Sequence, residues 1–330
     1  MVKTPATVTV RRITACTALC RNSFVIKTVL LTGVLDFAPF NWCCICAGAW
    51  GTRICSGNIR SIWVAGMASW LRSIHHFRFF IASSIRNELV NQFARSKLGG
   101  LWMVIHPLVM VAIYAFILSA VLSAKFDGID NRFAYAIYLT SGILGWTLFN
   151  EIISRSVNLF VGNANLLKKM VVPKISLPII TVGAVLVNNL MLFLAILVIF
   201  AFLGHGPSVH LLWLPLITAV TALLALGIGL IIAVLNVFIR DVAQLVPIVL
   251  QFLFWFTPIV YPLKVIPAEF QRFLSFNPMF PVVTAYHDVL AYQQAPNVSA
   301  LITMAVIGAG LCVLGVWMVR RTSAEMVDVL

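Results

Sequence analysis

Charged side chains are what this chain has least of. Lys, Arg, Asp and Glu make up 10% of its 330 residues, and only ten are acidic, whereas soluble domains carry about 25% charged residues. A large core does not explain the deficit, because 61% of the residues are hydrophobic and the mean hydropathy is +1.01. Apolar runs of ~20 residues recur, the length that crosses the ~30 Å hydrocarbon layer as helix. The expected fold class is an all-α polytopic membrane protein.

Three further absences narrow the function. No G-x-x-x-x-G-K-[ST] phosphate-binding loop occurs anywhere, so the chain has no nucleotide-burning motor of that kind. The apolar runs hold no Asp, Glu, Lys or Arg except Glu151 at the end of one of them. Ion-coupled carriers use such groups as relays and counter-ions, so a gradient-driven carrier is disfavoured. Glu151, Asp241 and Asp288 are isolated from one another, which argues against an intramembrane sugar transferase. Cysteine is nearly absent after residue 55: six of the seven fall within the first 55 residues, and Cys312 alone lies beyond. Cys43-Cys44-x-Cys46 lacks the paired spacing of a zinc site, so no metal is expected.

What is present divides the chain near Met67. Residues 1–66 read as a dispensable or misassigned N-terminal extension, and 67–330 as the transmembrane domain. From Trp70 to Phe93 the apolar residues Trp70, Ile74, Phe77, Ile81, Ile85, Leu89 and Phe93 recur at steps of three and four. That spacing marks one helix face and predicts an amphipathic interfacial helix with basic residues toward headgroups. Arg86, Arg95 and Lys97 are candidates for steering an anionic lipid headgroup. Six spans are expected at 104–124, 133–152, 177–203, 211–235, 245–263 and 298–319.

The net charge of +13 fits orientation better than nucleic-acid binding, for which no module is visible. Arg72, Arg78, Arg86, Arg95, Lys97, Arg155, Lys168, Lys169, Lys174, Arg240, Arg320 and Arg321 fall on alternate connections. Lys125, Arg132, Lys264 and Arg272 occupy the others. The richer side is cytoplasmic by the positive-inside rule, which puts both termini of the domain there. The 264–297 connection is rich in proline. Pro267 suits the first turn of one short helix, and a second is expected from Pro281 to about Tyr292. Together they read as an external hairpin re-entering the membrane.

With neither motor nor ion chemistry in the spans, energy for active transport must come from another polypeptide at the cytoplasmic face. The stretch GNANLLKKMVVPKISLP, 162–178, sits between two spans. Asn163 and Asn165 can cap a short helix; Leu166, Leu167 and Met170 form its apolar side, and Lys168 and Lys169 a basic one. It can carry a partner's movement into two spans, or serve as an ordinary positive-inside loop.

Three blocks resemble the membrane subunits of ABC-2 type exporters, particularly those moving O-antigen, capsule or teichoic acid. They are NQFARSKLGGLWMVIHPLVM (91–110), SGILGWTLFNEIISRSVNLFVGNANLLKKMVVPKISLP (141–178) and RDVAQLVPIVLQFLFWFTPIVYPLKVIPAEFQRFLSFNPM (240–279). Gln92, His106 and Gly145 stand where that family commonly has Arg, Gln and Pro. The resemblance implies a half-transporter in the bacterial plasma (inner) membrane that pairs with a second copy of itself and with two ABC ATPase subunits. ATP and Mg would be held by the partner, with no cofactor on this chain. It also implies that 162–172 sits in a groove of the ATPase, with Arg240 and Asp241 in a second contact, and that a lipid-linked glycan passes between the two copies. Aromatic rungs for sugar rings are expected among Tyr114, Phe116, Tyr135, Tyr138, Trp146, Phe149, Phe252, Trp255 and Tyr261. The same span pattern suits a permease for drugs or small lipids.

Overall fold

A computed structural model describes residues 78–93, 101, 102, 105, 109, 134–169, 176–202, 204–206, 208–263, 267, 269, 274 and 277–329. The chain divides into Met1–Gly66 and Met67–Leu330, and every described residue belongs to the second unit. The N-terminal extension, the 104–124 span apart from residues 105 and 109, Tyr114, Phe116, Arg95, Lys97 and Met170 lie outside the described residues.

All regular elements among the described residues are helical: α1 (Arg78–Phe93), α2 (Ala134–Val157), α3 (Ala164–Lys169), α4 (Ser176–Phe202), a 3-10 turn (Val209–Trp213) leading into α5 (Leu214–Phe238), α6 (Val242–Phe256), α7 (Met279–Leu290), α8 (Val298–Arg321) and α9 (Ser323–Val329). Four of them, α2, α4, α5 and α8, are long and apolar enough to cross a bilayer. The 27-residue α4 coincides with the expected 177–203 span to within a residue.

Two expected spans differ. Apolar length ends the second at 152, but α2 continues to Val157, because Glu151 and Arg155 pair at i,i+4 and carry the helix past the apolar run. The fifth is expected over 245–263, but α6 has 15 residues and stops at Phe256. At 1.5 Å per residue it is about 22 Å long, short of the hydrocarbon thickness. Its end lies where the sequence demands it. Thr257 precedes Pro258, whose ring excludes the helical conformation from the residue before it, and Thr257 is extended at φ −102°, ψ 133°. Helix α7 begins at Met279 instead of Pro281, since the Asn277 carboxamide oxygen accepts from the Met279 N–H at 2.9 Å.

Helix α2 is the hub, packed against α4, α5, α6 and α7. Glycines set its closest approaches. A methyl at Gly142 would lie 2.6 Å from His287 Nε2, and one at Gly145 would lie 2.5 Å from the Tyr286 ring, so these two form a notch that admits α7. The α5–α8 pair is tight for the same reason: a methyl at Gly227 or Gly315 would lie 2.7 Å from Leu311 or Leu230. Small residues let helix backbones approach where lipid supplies no hydrophobic drive. Elsewhere α8 presents Ile302, Val306, Val313 and Trp317 outward, as a lipid-facing helix does.

Several polar side chains within the bundle find backbone carbonyls on their own helix or a neighbouring one. Ser141 and Thr221 donate to the carbonyls four residues back, Ile137 and Ile217, each at 2.7 Å, and Asn189 donates across to Leu144 O at 3.1 Å. Unbonded, such groups would each cost several kcal/mol at membrane depth.

Candidate functional site

At one end of the bundle, helix α3 interrupts two bilayer-length helices. The chain leaves α2 through turns in which Gly162 N–H donates to Asn158 O at 2.8 Å, and Asn163 donates its side-chain amide back to Leu159 O at 2.8 Å. Asn163 thus stands at the expected capping position, and the bond its side chain makes runs to the preceding turn. Buried Asn236 of α5 donates to Val157 O at 2.8 Å and fixes where the turn begins. Beneath it, Leu159, Phe160, Leu230, Val234, Val237, Val319 and Met326 form a small apolar core. Met326 brings α9 under the turn, and α9 touches α3.

Asn165 and Lys168 are exposed on α3, and Leu166, Leu167 and Lys169 belong to the same six residues. Arg240 and Asp241 are exposed in the turn joining α5 to α6, where the Asp241 carbonyl accepts from Gln244 and Leu245 N–H at 3.0 Å each. Asn236, four residues before Arg240, bonds to the end of α2, which puts this turn and the α3 segment at the same end of the bundle.

The expected aromatic residues separate into three groups. Tyr135 and Tyr138, at the opposite end of α2, bind the backbone beyond α6. Tyr135 donates to Val260 O at 3.0 Å; Tyr138 reaches Pro258 O at 3.2 Å and Tyr261 O at 3.4 Å. Tyr261 donates to Trp255 O at 2.6 Å. Tyr138 is buried and stacks on His287 at 3.8 Å between ring centroids, with Tyr292 edge-on at 6.3 Å. Trp146 and Phe149 lie inside the bundle, 5.8 Å apart, with Phe254 at 5.5 Å from Trp146. Phe252 and Trp255 face outward from α6 and are 67% and 49% exposed. Tyr261 is half-buried.

The α7 side of the tyrosine group carries its titratable residues. His287 is buried and its Nε2 has no hydrogen-bond partner; Asp288 lies beside it on the same helix. The hinge of this region is Asn277, which donates to Thr257 Oγ1 at 2.8 Å and joins the end of α6 to the start of α7.

One constellation is only partly written in the order of residues. Arg155 donates to Glu88 Oε1 at 2.8 Å and to Glu151 Oε1 at 2.6 Å, and Asn188 donates to the same Glu151 oxygen at 3.0 Å. The Glu151–Arg155 spacing is readable on a helix, while Glu88 lies 67 positions from Arg155 and leaves no local signal. Arg86, the one described member of the headgroup-steering set, is exposed on α1. Among the described residues no group of His, Cys, Asp and Glu is placed to hold a metal ion.

Residues 80–291 match the family model described as ABC-2 type transporter. An O-antigen export system permease protein RfbA from Klebsiella pneumoniae is 31% identical over 206 residues, 61% of this chain and 76% of the relative. A Myxococcus xanthus protein of the same name is 26% identical over 247 residues, 74% of this chain and 93% of the relative. The polysialic acid transport protein KpsM of Escherichia coli is 24% identical over 205 residues, 59% of this chain and 75% of the relative.

Proposed function

The chain belongs to the ABC-2 type transporter family, and from that premise we propose that it is the membrane subunit of an ATP-driven exporter of lipid-linked polysaccharide. On this reading two copies span the bacterial plasma membrane, both termini face the cytoplasm, and two separate ABC ATPase subunits bind beneath them. Six spans per copy and a re-entrant hairpin that includes α7 complete the layout. ATP and Mg belong to the ATPase partner. The observation that carries the proposal is the seat of α3: a six-residue helix with exposed Lys168, anchored through Asn236 and the Phe160 core to α2, α5 and α8. A push on such an element is delivered to three long helices at once.

A glycan cargo is supported by the names of the three relatives, two of O-antigen export systems and one of polysialic acid transport. Tyr135, Phe252, Trp255 and Tyr261 suit the wall of a conduit between two copies, since they are the described aromatics of the expected set that are not buried within one protomer. Sugar rings present C–H faces to such side chains, and many weak contacts let a polymer slide. The exposed Arg86, with Arg95 and Lys97, suits attraction of anionic headgroups, worth about 1 kcal/mol per basic residue near the surface.

The test is reconstitution with the ATPase. Paired substitution L166D/L167D is expected to abolish glycan export while ATP hydrolysis and membrane insertion persist, measured in proteoliposomes. Normal export by that variant overturns the coupling assignment. Glycan movement by the purified chain without ATPase or nucleotide overturns the exporter reading itself.

A further inference from the structure

Among the described residues, helix α1 makes an apolar and a polar contact on one face. Its apolar contact is with α4, where Ile85 fills the space left by Gly183; a methyl at 183 would lie 2.5 Å from Ile85 Cδ1. Its polar contact lies one helical step on, at Glu88, whose carboxylate takes the Arg155 guanidinium of α2 at 2.8 Å. The two links that Arg155 makes differ in kind. Glu151 sits on the same helix at i,i+4, so that distance is set by helix geometry and travels with α2. Glu88 belongs to another element, so that link must break or re-form whenever the end of α2 moves against α1. Asn188 of α4 donates to the Glu151 oxygen that Arg155 also binds, at 3.0 Å, so three helices meet in one polar cluster. Arg155 stands in the last turn of α2, nine residues before α3 begins.

We infer that Arg155 is a positioning residue for export: it ties α1 to the end of α2, so that motion of the α3 segment changes how α1 sits on α4. The inference rests on the exporter reading. The side chains of Arg155 and Glu88 keep 25% and 33% of their exposure. Water can therefore replace the lost partner, and the pair biases the docked position by up to about fivefold, the upper range for exposed ion pairs. Such a bias suits a contact made and broken each cycle. A fully buried pair would resist opening far more strongly, because a lone buried charge has no substitute for its partner.

Among the described residues the cluster holds one cation and two carboxylates, which makes charge exchange the test. R155E leaves three carboxylates together, E88R sets two arginines beside Glu151, and the double variant E88R/R155E restores one cation and two anions. In proteoliposomes holding the complex with its ATPase, the singles are expected to raise the ATP hydrolysed per glycan exported by up to about fivefold, and the double to bring the ratio back toward wild type. A second readout needs no glycan: an I85C/G183C pair in a cysteine-free background, cross-linked with and without ATP and vanadate. Wild-type cross-linking is expected to depend on nucleotide, the singles to lose that dependence, and the double to regain it. E88Q, which removes a charge without adding one, replaces either single that fails to insert and is expected to weaken the dependence. Singles indistinguishable from wild type, or a double no better than its singles, overturn the inference. A complex that moves no glycan but whose nucleotide-dependent cross-link is rescued by the double variant sinks the exporter reading and leaves standing only the Arg155–Glu88 tie between α1 and α2. Export with a cross-link indifferent to nucleotide does the reverse.

Discussion

Gly145 explains more than its size suggests. It stands where the resembling family often has proline, and the sequence offers no reason for the change. In the fold its missing side chain is the floor on which Tyr286 lies, fully buried, with its hydroxyl 3.3 Å from Thr218 Oγ1. A β-branched replacement must drive the ring out of a packed site. G145V is expected to cost about 1–3 kcal/mol through overpacking, read as a lower midpoint of thermal unfolding in detergent. A variant as stable as wild type would mean that α7 has room to retreat. The same scale shows what local reading misses in polar groups. Counting loop charges for orientation treats Arg155 as one of them, yet it is the partner of Glu88 and Glu151. Asn163 is expected to cap forward, yet its amide binds the turn behind it.

At the scale of elements, the α6–α7 connection depends on side chains reaching from α2. The Tyr138 hydroxyl lies within reach of two carbonyls, those of Pro258 and Tyr261, and Tyr135 holds the intervening Val260. These carbonyls cannot be satisfied by regular structure, because the prolines at 258 and 262 forbid it. Y138F removes the donor and leaves both acceptors in a buried place, at a cost of about 1–3 kcal/mol. Faster amide hydrogen exchange over 257–263, with α5 and α8 unchanged, is the expected result. Unchanged exchange there would show that Asn277 and Thr257 hold the connection alone. Helix α9 has no role legible in its own residues, because seven of them with two acids say little. Its Met326 matters only because the turn after α2 leaves a space for it.

For the whole molecule, the sharpest forecast concerns the first 66 residues. Their composition differs from the rest, and the family match begins only at residue 80. Translation started at Met67 is expected to leave export unchanged, measured as surface glycan in cells whose own permease is deleted. Complete loss would show that the preceding segment is needed.

The membrane class, the long helices α4, α5 and α8 and the short helix after α2 were all legible from residue order, since each comes from local rules. Apolar length sets a bilayer crossing, proline stops a helix, and a four-residue step sets a face. The Glu88–Arg155 link, the glycine notch for Tyr286 and His287, the seat of Met326 and the outward turn of Phe252 and Trp255 were not. Each depends on which surfaces meet across distant stretches of chain, and helix periodicity carries no information about a helix's neighbour. Residue order decided what the helices are; packing decided which side chains are left to act.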